Sequence, residues 1–224
     1  MCGRYTLTRP DLGSVVDLLS ADVDPSAAEI HHPRYNIAPS QPCVVASAGR
    51  ANADPAGDPS GPSGITGEGR PVLSAAVWGL RLSGRFVVNL RAEASARYRM
   101  RRCVVPADGF YEWTGPAGDR RPTWFHAPSG ELLLMAGLLD DRAGARPSFA
   151  ILTTPSRGPV HAIHDRMPVF MGADRARRWL AGEGRAEPDP VELIATEASP
   201  RVNSAANDDA SLLAPSATRQ LRLC

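Results

Sequence analysis

Short apolar runs, each ended by Gly, Pro, Asn or Asp, make up most of this chain. The clearest are CVVAS, VLSAAVWGL, RCVVPADG, ELLLMAGLLD and SFAILTTPS. Runs of this length predict β-strands. Helical spacing is found in RPDLGSVVDLLSAD and GADRARRWLAG, whereas DPVELIATEA fits a short helix or a strand. The pattern predicts an α+β fold with much of its sheet antiparallel.

The length of 224 residues suits one domain. Residues from about 49 to 71 are rich in Gly, Pro, Asp and Ser and are predicted to form a disordered surface insertion. A hairpin is predicted around Pro128–Gly130. We therefore expect one compact domain over residues 1–216, followed by a tail over residues 217–224.

All 25 basic residues are arginine, and the formal net charge is +1. Without lysine, Schiff-base lysine chemistry and a P-loop lysine are excluded, so an amine nucleophile would have to be the α-amine. Seven arginines lie between Arg81 and Arg102, with Glu93 as the one acid among them. This stripe is either a track for phosphates or an ordinary solvated face. Trp78, Phe110 and Trp113 are candidates for stacking on bases.

The four cysteines are widely scattered and have no spacing typical of a zinc site. No metal or other cofactor is therefore expected. The sequence has no apolar targeting segment and no run of the roughly 20 apolar residues that cross a bilayer. We expect a monomeric cytoplasmic protein with reduced thiols and no membrane contact.

One cysteine has an unusual position, directly after the initiator methionine in MCGRY. A small second residue favours removal of Met1, which would leave Cys2 with a free α-amine beside its thiol. The two groups can add to one aldehyde carbon and close a five-membered thiazolidine ring. Taken alone, the dipeptide is more often an inert small residue after Met than a reactive group.

Three polar motifs follow predicted strands, where functional side chains often lie. In NLRAE, Asn89, Arg91 and Glu93 alternate and would share one face of a strand. In DGFYEW, Glu112 stands between two aromatic residues that would desolvate it and raise its pKa. In IHDRMPVF, His164 follows an apolar run. A solvated strand edge, an arginine-paired glutamate and a structural histidine are the alternatives.

As an ordered set, MCGRY, RYNIAPSQ, WGL, NLRAE, RCVVPADGFYEW, LTTPS and IHDRMPVF resemble the SOS-response-associated peptidase (SRAP) family, also described as abasic-site processing proteins. The resemblance spans about residues 2–210. It implies a β-barrel-like core with a few flanking helices and a protein of the DNA damage response. It also implies binding to single-stranded DNA and a covalent thiazolidine cross-link from Cys2 to abasic sites.

Residue roles follow from the same resemblance. Cys2, Asn89, Glu112 and His164 are predicted to be catalytic, and the predicted DNA contacts are Arg4, Arg91, Arg166, Trp113, Pro39 and Ser40. Leu90 and Ala94 depart from the family motif, and RLSGRF replaces a usual Pro-x-Trp element, so no preference for DNA junctions is implied. Self-cleavage and the family's peptidase, hydrolase and lyase activities are further expectations. A cysteine peptidase and a non-covalent DNA-binding protein are the alternatives.

Overall fold

The computed structural model describes residues 2–49, 69–116, 118–142 and 146–214. Met1, most of the predicted insertion (50–68) and the predicted tail (217–224) lie outside the described residues. The chain forms sixteen strands, three α-helices and four short 3₁₀-helices within the described part. This composition confirms the predicted α+β class.

The strands, in chain order, are β1 (Arg4–Leu7), β2 (Asp22–Val23), β3 (Arg34–Ile37), β4 (Pro42–Ser47), β5 (Val72–Trp78), β6 (Leu80–Leu82), β7 (Arg85–Val87), β8 (Asn89–Arg91), β9 (Arg101–Ala107), β10 (Gly109–Thr114), β11 (Arg121–His126), β12 (Leu133–Asp140), β13 (Ser148–Pro155), β14 (Arg166–Pro168), β15 (Phe170–Met171) and β16 (Ile194–Glu197). The α-helices are α1 (Gly13–Leu19), α2 (Pro25–Ile30) and α3 (Ala173–Leu180). The 3₁₀-helices are η1 (Ala92–Arg97), η2 (Gly158–Ala162), η3 (Pro200–Asn203) and η4 (Ala210–Leu212).

Two mainly antiparallel sheets form the core. The smaller has the order β16-β11-β10-β1-β3, and the larger runs β14-β13-β12-β9-β4-β5-β2 with β8 and β15 attached. Because β13 also pairs in parallel with β5, the strands β13, β12, β9, β4 and β5 close into a ring. This ring corresponds to the predicted barrel-like core.

Successive side chains of the ring strands point to opposite faces of the sheet, so they form two separate hydrophobic clusters. On β13, Phe149 and Ile151 face the smaller sheet, where they share a hydrophobic cluster with Tyr5 of β1 and Phe110 of β10. Ala150 and Leu152 instead belong to the cluster that includes α1 and α3, with the apolar side chains Val15, Leu19, Ala176, Trp179 and Leu180. The larger sheet is therefore buried on both faces, between the helices and the smaller sheet.

The predicted hairpin around Pro128–Gly130 is wrong. The turn exists, with the Gly130 amide donating to the Ala127 carbonyl at 3.0 Å. However, β11 pairs with β10 and β16, whereas β12 pairs with β9, β13 and β15. The turn carries the chain from one sheet to the other, a choice made by long-range burial rather than by the turn residues.

Three other segments also differ from or refine the predictions. NLRAE extends only to Arg91 before η1 begins, so Glu93 does not share a strand with Asn89. DPVELIATEA contains strand β16 rather than a helix. RYNI, part of the RYNIAPSQ motif, forms β3 at the edge of the smaller sheet.

The position of β1 is fixed by a buried carboxylate. Asp108 accepts hydrogen bonds from the Thr6 hydroxyl and from the Thr8 amide, the latter at 2.6 Å. Gly109 lies against the Trp124 indole, and a Cβ there would come within 2.1 Å of Nε1. These contacts set the β1–β10 register in which Arg4 faces Tyr111. The register brings the segment before Arg4 alongside Glu112.

Candidate active site

A cavity of about 730 Å³ lies beside the start of β1 and the end of β10. Its lining combines β1, β10, the β10–β11 connection, the loop after η2, and η3. The lining residues are Gly3, Arg4, Glu112, Trp113, Gly115, Gly118, Arg120, His164 and Asn203. Four of the ten residues predicted for the site, namely Arg4, Glu112, Trp113 and His164, therefore share one cavity.

Cys2 and Glu112 are almost fully buried, with 0% and 3% of their surfaces exposed. Burial, followed by the negative charge of Glu112, raises the pKa of the Cys2 thiol. Burial also raises the pKa of Glu112, and the positive charge of His164 partly opposes this effect. Both groups are therefore biased toward their neutral, proton-carrying forms.

The predicted cause of this Glu112 shift is wrong. Alternation along β10 puts Tyr111 and Trp113 on one face, where their rings lie 6.2 Å apart, and Glu112 on the other. Glu112 shares its face with Phe110, which belongs to the cluster between the sheets together with Cys2. The interior of the protein, rather than the adjacent aromatic residues, desolvates Glu112.

Asn89 holds Cys2 in place. Its Nδ2 donates to the Cys2 carbonyl at 2.7 Å. Its Oδ1 is buried and has no donor within hydrogen-bond range among the described residues. Asn89 keeps this position because β8 pairs in parallel with β13, opposite Ile151.

His164 is held by its own loop and contributes a partly exposed ring to the cavity. The Ser156 hydroxyl donates to the His164 carbonyl, and the His164 amide donates to the Val160 carbonyl at 2.9 Å. In a neutral ring, Nδ1 accepts the Arg166 amide at 3.0 Å, which leaves the proton on Nε2. When protonated, the same nitrogen can donate to Asp165 Oδ1, 2.9 Å away. The ring can therefore be held in either protonation state.

Arg4 is anchored on the side of the cavity formed by the C-terminal segment. Its Nη1 donates to the Val202 carbonyl at 2.7 Å and to Asn36 Oδ1 at 3.2 Å. The buried Asn36 also donates from Nδ2 to the carbonyls of Val202, Ser204 and Asn207. Burial lowers the pKa of Arg4. The guanidinium is thus held at the cavity with little freedom to move.

Arg166 is bound to a carboxylate. Both Nη atoms donate to Glu93 at 2.9 Å, and Nη2 also donates to the Thr153 carbonyl at 2.5 Å. The Arg166 side chain is only 12% exposed, whereas that of Glu93 is 56% exposed. Hydrogen bonds from Arg166 lower the pKa of Glu93 to about 2. A phosphate could reach this guanidinium only by displacing Glu93.

The other predicted DNA contacts lie at different distances from the cavity. Trp113 lines it and donates from Nε1 to Asn203 Oδ1 at 2.7 Å. Arg91 is exposed at the end of β8. Pro39 and Ser40 lie in the β3–β4 turn, outside the cavity lining, and Ser40 has a φ of +71°. Their roles toward DNA stay predictions.

The arginine stripe divides into two groups. Arg81, Arg85, Arg91, Arg97 and Arg99 are exposed. Arg101 instead pairs with Asp141, and the Arg102 guanidinium lies 4.2 Å from the centre of the Trp179 ring. Trp78 and Phe110 are fully buried, so the prediction that they could stack on bases is wrong.

The residue-level reasoning missed three groups at the site: Asn36, Thr153 and Asn203. Asn36 and Thr153 occur within the RYNIAPSQ and LTTPS motifs, which indicated a role without specifying one. Asn203 lies in a polar stretch with no distinguishing pattern. Only the fold brings it to Trp113.

Within the described ranges, no His, Cys, Asp and Glu residues cluster in a way that could hold a metal ion. The helices described there are all too short to span a bilayer.

Comparison with known proteins agrees with this arrangement. A solved phage-related protein from Bordetella bronchiseptica is 28% identical and has a TM-score of 0.60, over 83% of this chain and 84% of that one. A protein from Bacteroides thetaiotaomicron has the same fold, with a TM-score of 0.71 at 16% identity, over 96% of this chain and 100% of that one.

Sequence relatives point in the same direction. Abasic site processing protein YoqW from Bacillus subtilis (strain 168) is 27% identical over 95% of this chain and 99% of its own length. A sequence model of the SOS response associated peptidase (SRAP) family matches residues 1–206. With nearly the whole described fold inside that match, the chain belongs to the SRAP family.

Proposed function

We propose that this protein processes abasic sites in DNA, in the response to DNA damage, by forming a covalent thiazolidine with the lesion through Cys2. Relatives carry the name abasic site processing protein. The observation that carries the proposal is the position of Cys2. Asn89 fixes its carbonyl at 2.7 Å, and the pKa of Glu112, at the adjoining cavity, responds to His164.

The first step needs the aldehyde form of the abasic sugar. His164, carrying a proton, donates it to the ring oxygen as the C1–ring-oxygen bond breaks, and the anomeric hydroxyl loses its proton to water to give the aldehyde. After removal of Met1, the neutral α-amine of Cys2 adds to the aldehyde carbon and gives a carbinolamine. An α-amine has a reference pKa of about 7.7 to 8.0, so a substantial fraction is neutral near pH 7.

Glu112 then transfers protons twice. Its acid form protonates the carbinolamine hydroxyl, and water departs to leave an iminium ion. The Glu112 carboxylate takes the thiol proton of Cys2 as the sulfur attacks the iminium carbon and closes the ring. The bonds formed are C–N and C–S, one water is released, and Glu112 returns to its acid form. The raised pKa values of Glu112 and Cys2 suit this exchange, because both protons are present at the start.

Holding the DNA is the proposed role of the arginines. Arg4 and Glu112 line the same cavity, and five arginines of the stripe are exposed elsewhere on the surface. We infer that single-stranded DNA binds there through its phosphates, because guanidinium groups pair with phosphate oxygens. The protein would then act as a monomer in the cytoplasm, associated with the nucleoid when bound.

The test is adduct formation on a single-stranded oligonucleotide with one abasic site, followed by a denaturing gel. We expect the unaltered protein to give a band that survives denaturation, and Cys2→Ala to give none. Cys2→Ser keeps the amine without the thiol, so we expect a Schiff base that borohydride traps and that promotes strand cleavage. A stable adduct with Cys2→Ala would contradict the proposal.

The two alternatives predict different results. A cysteine peptidase depends on a thiolate, and the raised pKa of the Cys2 thiol argues against that role. A non-covalent DNA-binding protein would give no band with any variant while keeping its affinity. The family's peptidase activity is tested separately by mass spectrometry. If Glu112→Gln still lacks Met1, self-cleavage through Glu112 is not needed to expose Cys2.

A further inference from the structure

We propose that Arg120 binds the phosphate of a nucleotide next to the abasic sugar, and that Asn203 is the positioning residue for this subsite. The inference rests on the proposed function and extends the site to a side of the cavity that neither the sequence motifs nor the family resemblance assigned. It concerns the β10–β11 connection and the last 3₁₀-turn before Ser204.

The shape of the cavity is the first argument. Gly115, Gly118 and Arg120 of the β10–β11 connection line the same cavity as Glu112 and His164. Its volume of about 730 Å³ is in the range of sites for drug-sized ligands and exceeds what one sugar ring requires. A neighbouring nucleotide therefore has room beside the reacting sugar.

The contacts of Asn203 are the second argument. Its Oδ1 accepts the Trp113 indole N–H at 2.7 Å, and its Nδ2 donates to the Arg120 carbonyl at 3.1 Å. The adjacent Val202 carbonyl accepts Arg4 Nη1 at 2.7 Å. One short turn, η3, thus contacts the Trp113 ring, the Arg4 guanidinium and the Arg120 backbone.

Charge is the third argument. Among the residues that the structure describes, Arg4 and Arg120 are the arginines that line the cavity. The Arg120 guanidinium makes no hydrogen bond or ion pair with the residues described. Glu112, the acid at the cavity, is biased toward its neutral form by burial. A phosphodiester is the ligand group that matches a planar donor beside an aromatic ring.

The neighbouring Arg121 provides a matched control. It is exposed, lies 3.6 Å from Asp119 and does not line the cavity. Arg120→Gln and Arg121→Gln therefore remove the same charge one residue apart. Affinity is measured on an oligonucleotide with a tetrahydrofuran analogue of the abasic sugar, which has no aldehyde form, so that binding is separated from cross-linking.

For single strands, the logarithm of the binding constant falls with the logarithm of the salt concentration, with a slope of about 0.7 per phosphate contact. Loss of one contact therefore weakens binding roughly fivefold at 0.1 M salt. We expect Arg120→Gln to weaken binding to an abasic oligonucleotide by about this factor and to lower the salt slope by about 0.7. Arg121→Gln should change neither quantity. Equal effects of the two substitutions would overturn the inference.

A neutral methylphosphonate in place of each flanking phosphate identifies the contact. If the methylphosphonate replaces the phosphate that Arg120 contacts, Arg120→Gln should cause no further loss of affinity. At the other positions, the loss from the methylphosphonate and the loss from Arg120→Gln should add. Additive losses at every position would also overturn the inference. Failure of the proposed function is a separate result, because it would leave the unaltered protein without a covalent adduct.

Asn203 is tested with two variants. In an Asn203→Ala background, the Arg120→Gln loss should shrink, because the Arg120 backbone is no longer fixed beside the cavity. Asn203→Asp keeps the acceptor for Trp113 but removes the donor to Arg120, so it should behave like Asn203→Ala toward the phosphate. An undiminished Arg120→Gln loss in both backgrounds would refute the positioning role.

Discussion

The Cys2–Glu112 region and the arginine stripe over Arg81–Arg102 place charged and polar groups in opposite surroundings. Cys2 and Glu112 are buried, and burial raises the pKa of each. Most arginines of the stripe are in water, where a charge costs little and interacts weakly. The buried region is suited to proton transfer, and the exposed one to holding a polyanion.

The comparison also shows that residue type alone does not assign a role. Arg102 belongs to the stripe but packs on Trp179, and Arg166 is bound to Glu93. Arg4 lies at the buried region and is anchored by Val202. The contacts of each guanidinium decide whether it is available for phosphate.

The largest effect should come from blocking the amine. A glutamate inserted between Met1 and Cys2 would prevent methionine removal, because the second residue is then bulky. We expect adduct formation to fall to background, since the reacting amine is displaced from Cys2. Adduct is measured on denaturing gels, and mass spectrometry confirms that the leader is retained. Undiminished cross-linking would show that the α-amine of Cys2 is not the nucleophile.

The next effect should come from Glu112→Gln. We expect cross-linking to slow by roughly 10²-fold or more, the usual contribution of a general acid–base group, with affinity for single-stranded DNA unchanged. In the unaltered protein the rate should fall as pH rises through the raised pKa of Glu112, and this limb should disappear in the variant. Single-turnover rates across pH check both points. An unchanged rate would remove Glu112 from the mechanism.

Stability provides an independent check on Glu112. Its pKa is higher in the folded protein than in the unfolded chain, so the folded state loses stability as pH rises above the unfolded value of about 4.3. Glu112→Gln removes the free-energy cost of a buried carboxylate and should raise Tm at neutral pH. The rise should be about 2 to 4 °C for each kcal/mol gained in the free energy of unfolding. An unchanged or lower Tm would contradict the predicted shift.

A smaller effect should come from Glu93→Gln, which weakens the carboxylate contact to Arg166. If Arg166 exchanges this contact for a phosphate, the variant should bind single-stranded DNA more tightly, by severalfold, because less has to be displaced. Fluorescence anisotropy against salt concentration measures the change. Equal or weaker binding would indicate that Glu93 and Arg166 are a structural pair.

The smallest effects should separate the two groups of the stripe. Arg81→Gln or Arg85→Gln should weaken DNA binding by at most about fivefold at 0.1 M salt and leave Tm unchanged. Arg102→Gln should leave binding unchanged but lower Tm, because a cation–π contact of about 0.5 to 2 kcal/mol is lost. Both quantities are measured for all three variants. If Arg102→Gln weakened DNA binding, or if Arg81→Gln or Arg85→Gln lowered Tm, the division of the stripe into two groups would be wrong.

Much of the fold was predictable from local pattern. Continuous apolar runs identified β9, β12 and β13, because these strands are buried on both faces. Helical spacing identified α1 and α3, because each helix buries one face. The switch between sheets at Gly130 was not predictable from local signals. Turn residues specify that the chain reverses, but the pairing partner depends on distant strands.

At the candidate site, the motifs identified Cys2, Asn89, Glu112 and His164 individually. The structure brings Glu112 and His164 to one cavity and joins Asn89 to Cys2. It also assigns Arg166 to Glu93 and adds Asn203, which nothing in the sequence distinguished.

The sequence by itself determined which reactive groups are available: without lysine the chain has no side-chain amine, and Cys2 supplies a thiol. Only the tertiary structure decided which groups surround that cysteine and what their pKa values become. The physical reason is that residue identity sets the reactive atoms, whereas burial and the neighbouring charges, contributed by segments more than a hundred residues away such as Glu112, set how those atoms hold their protons.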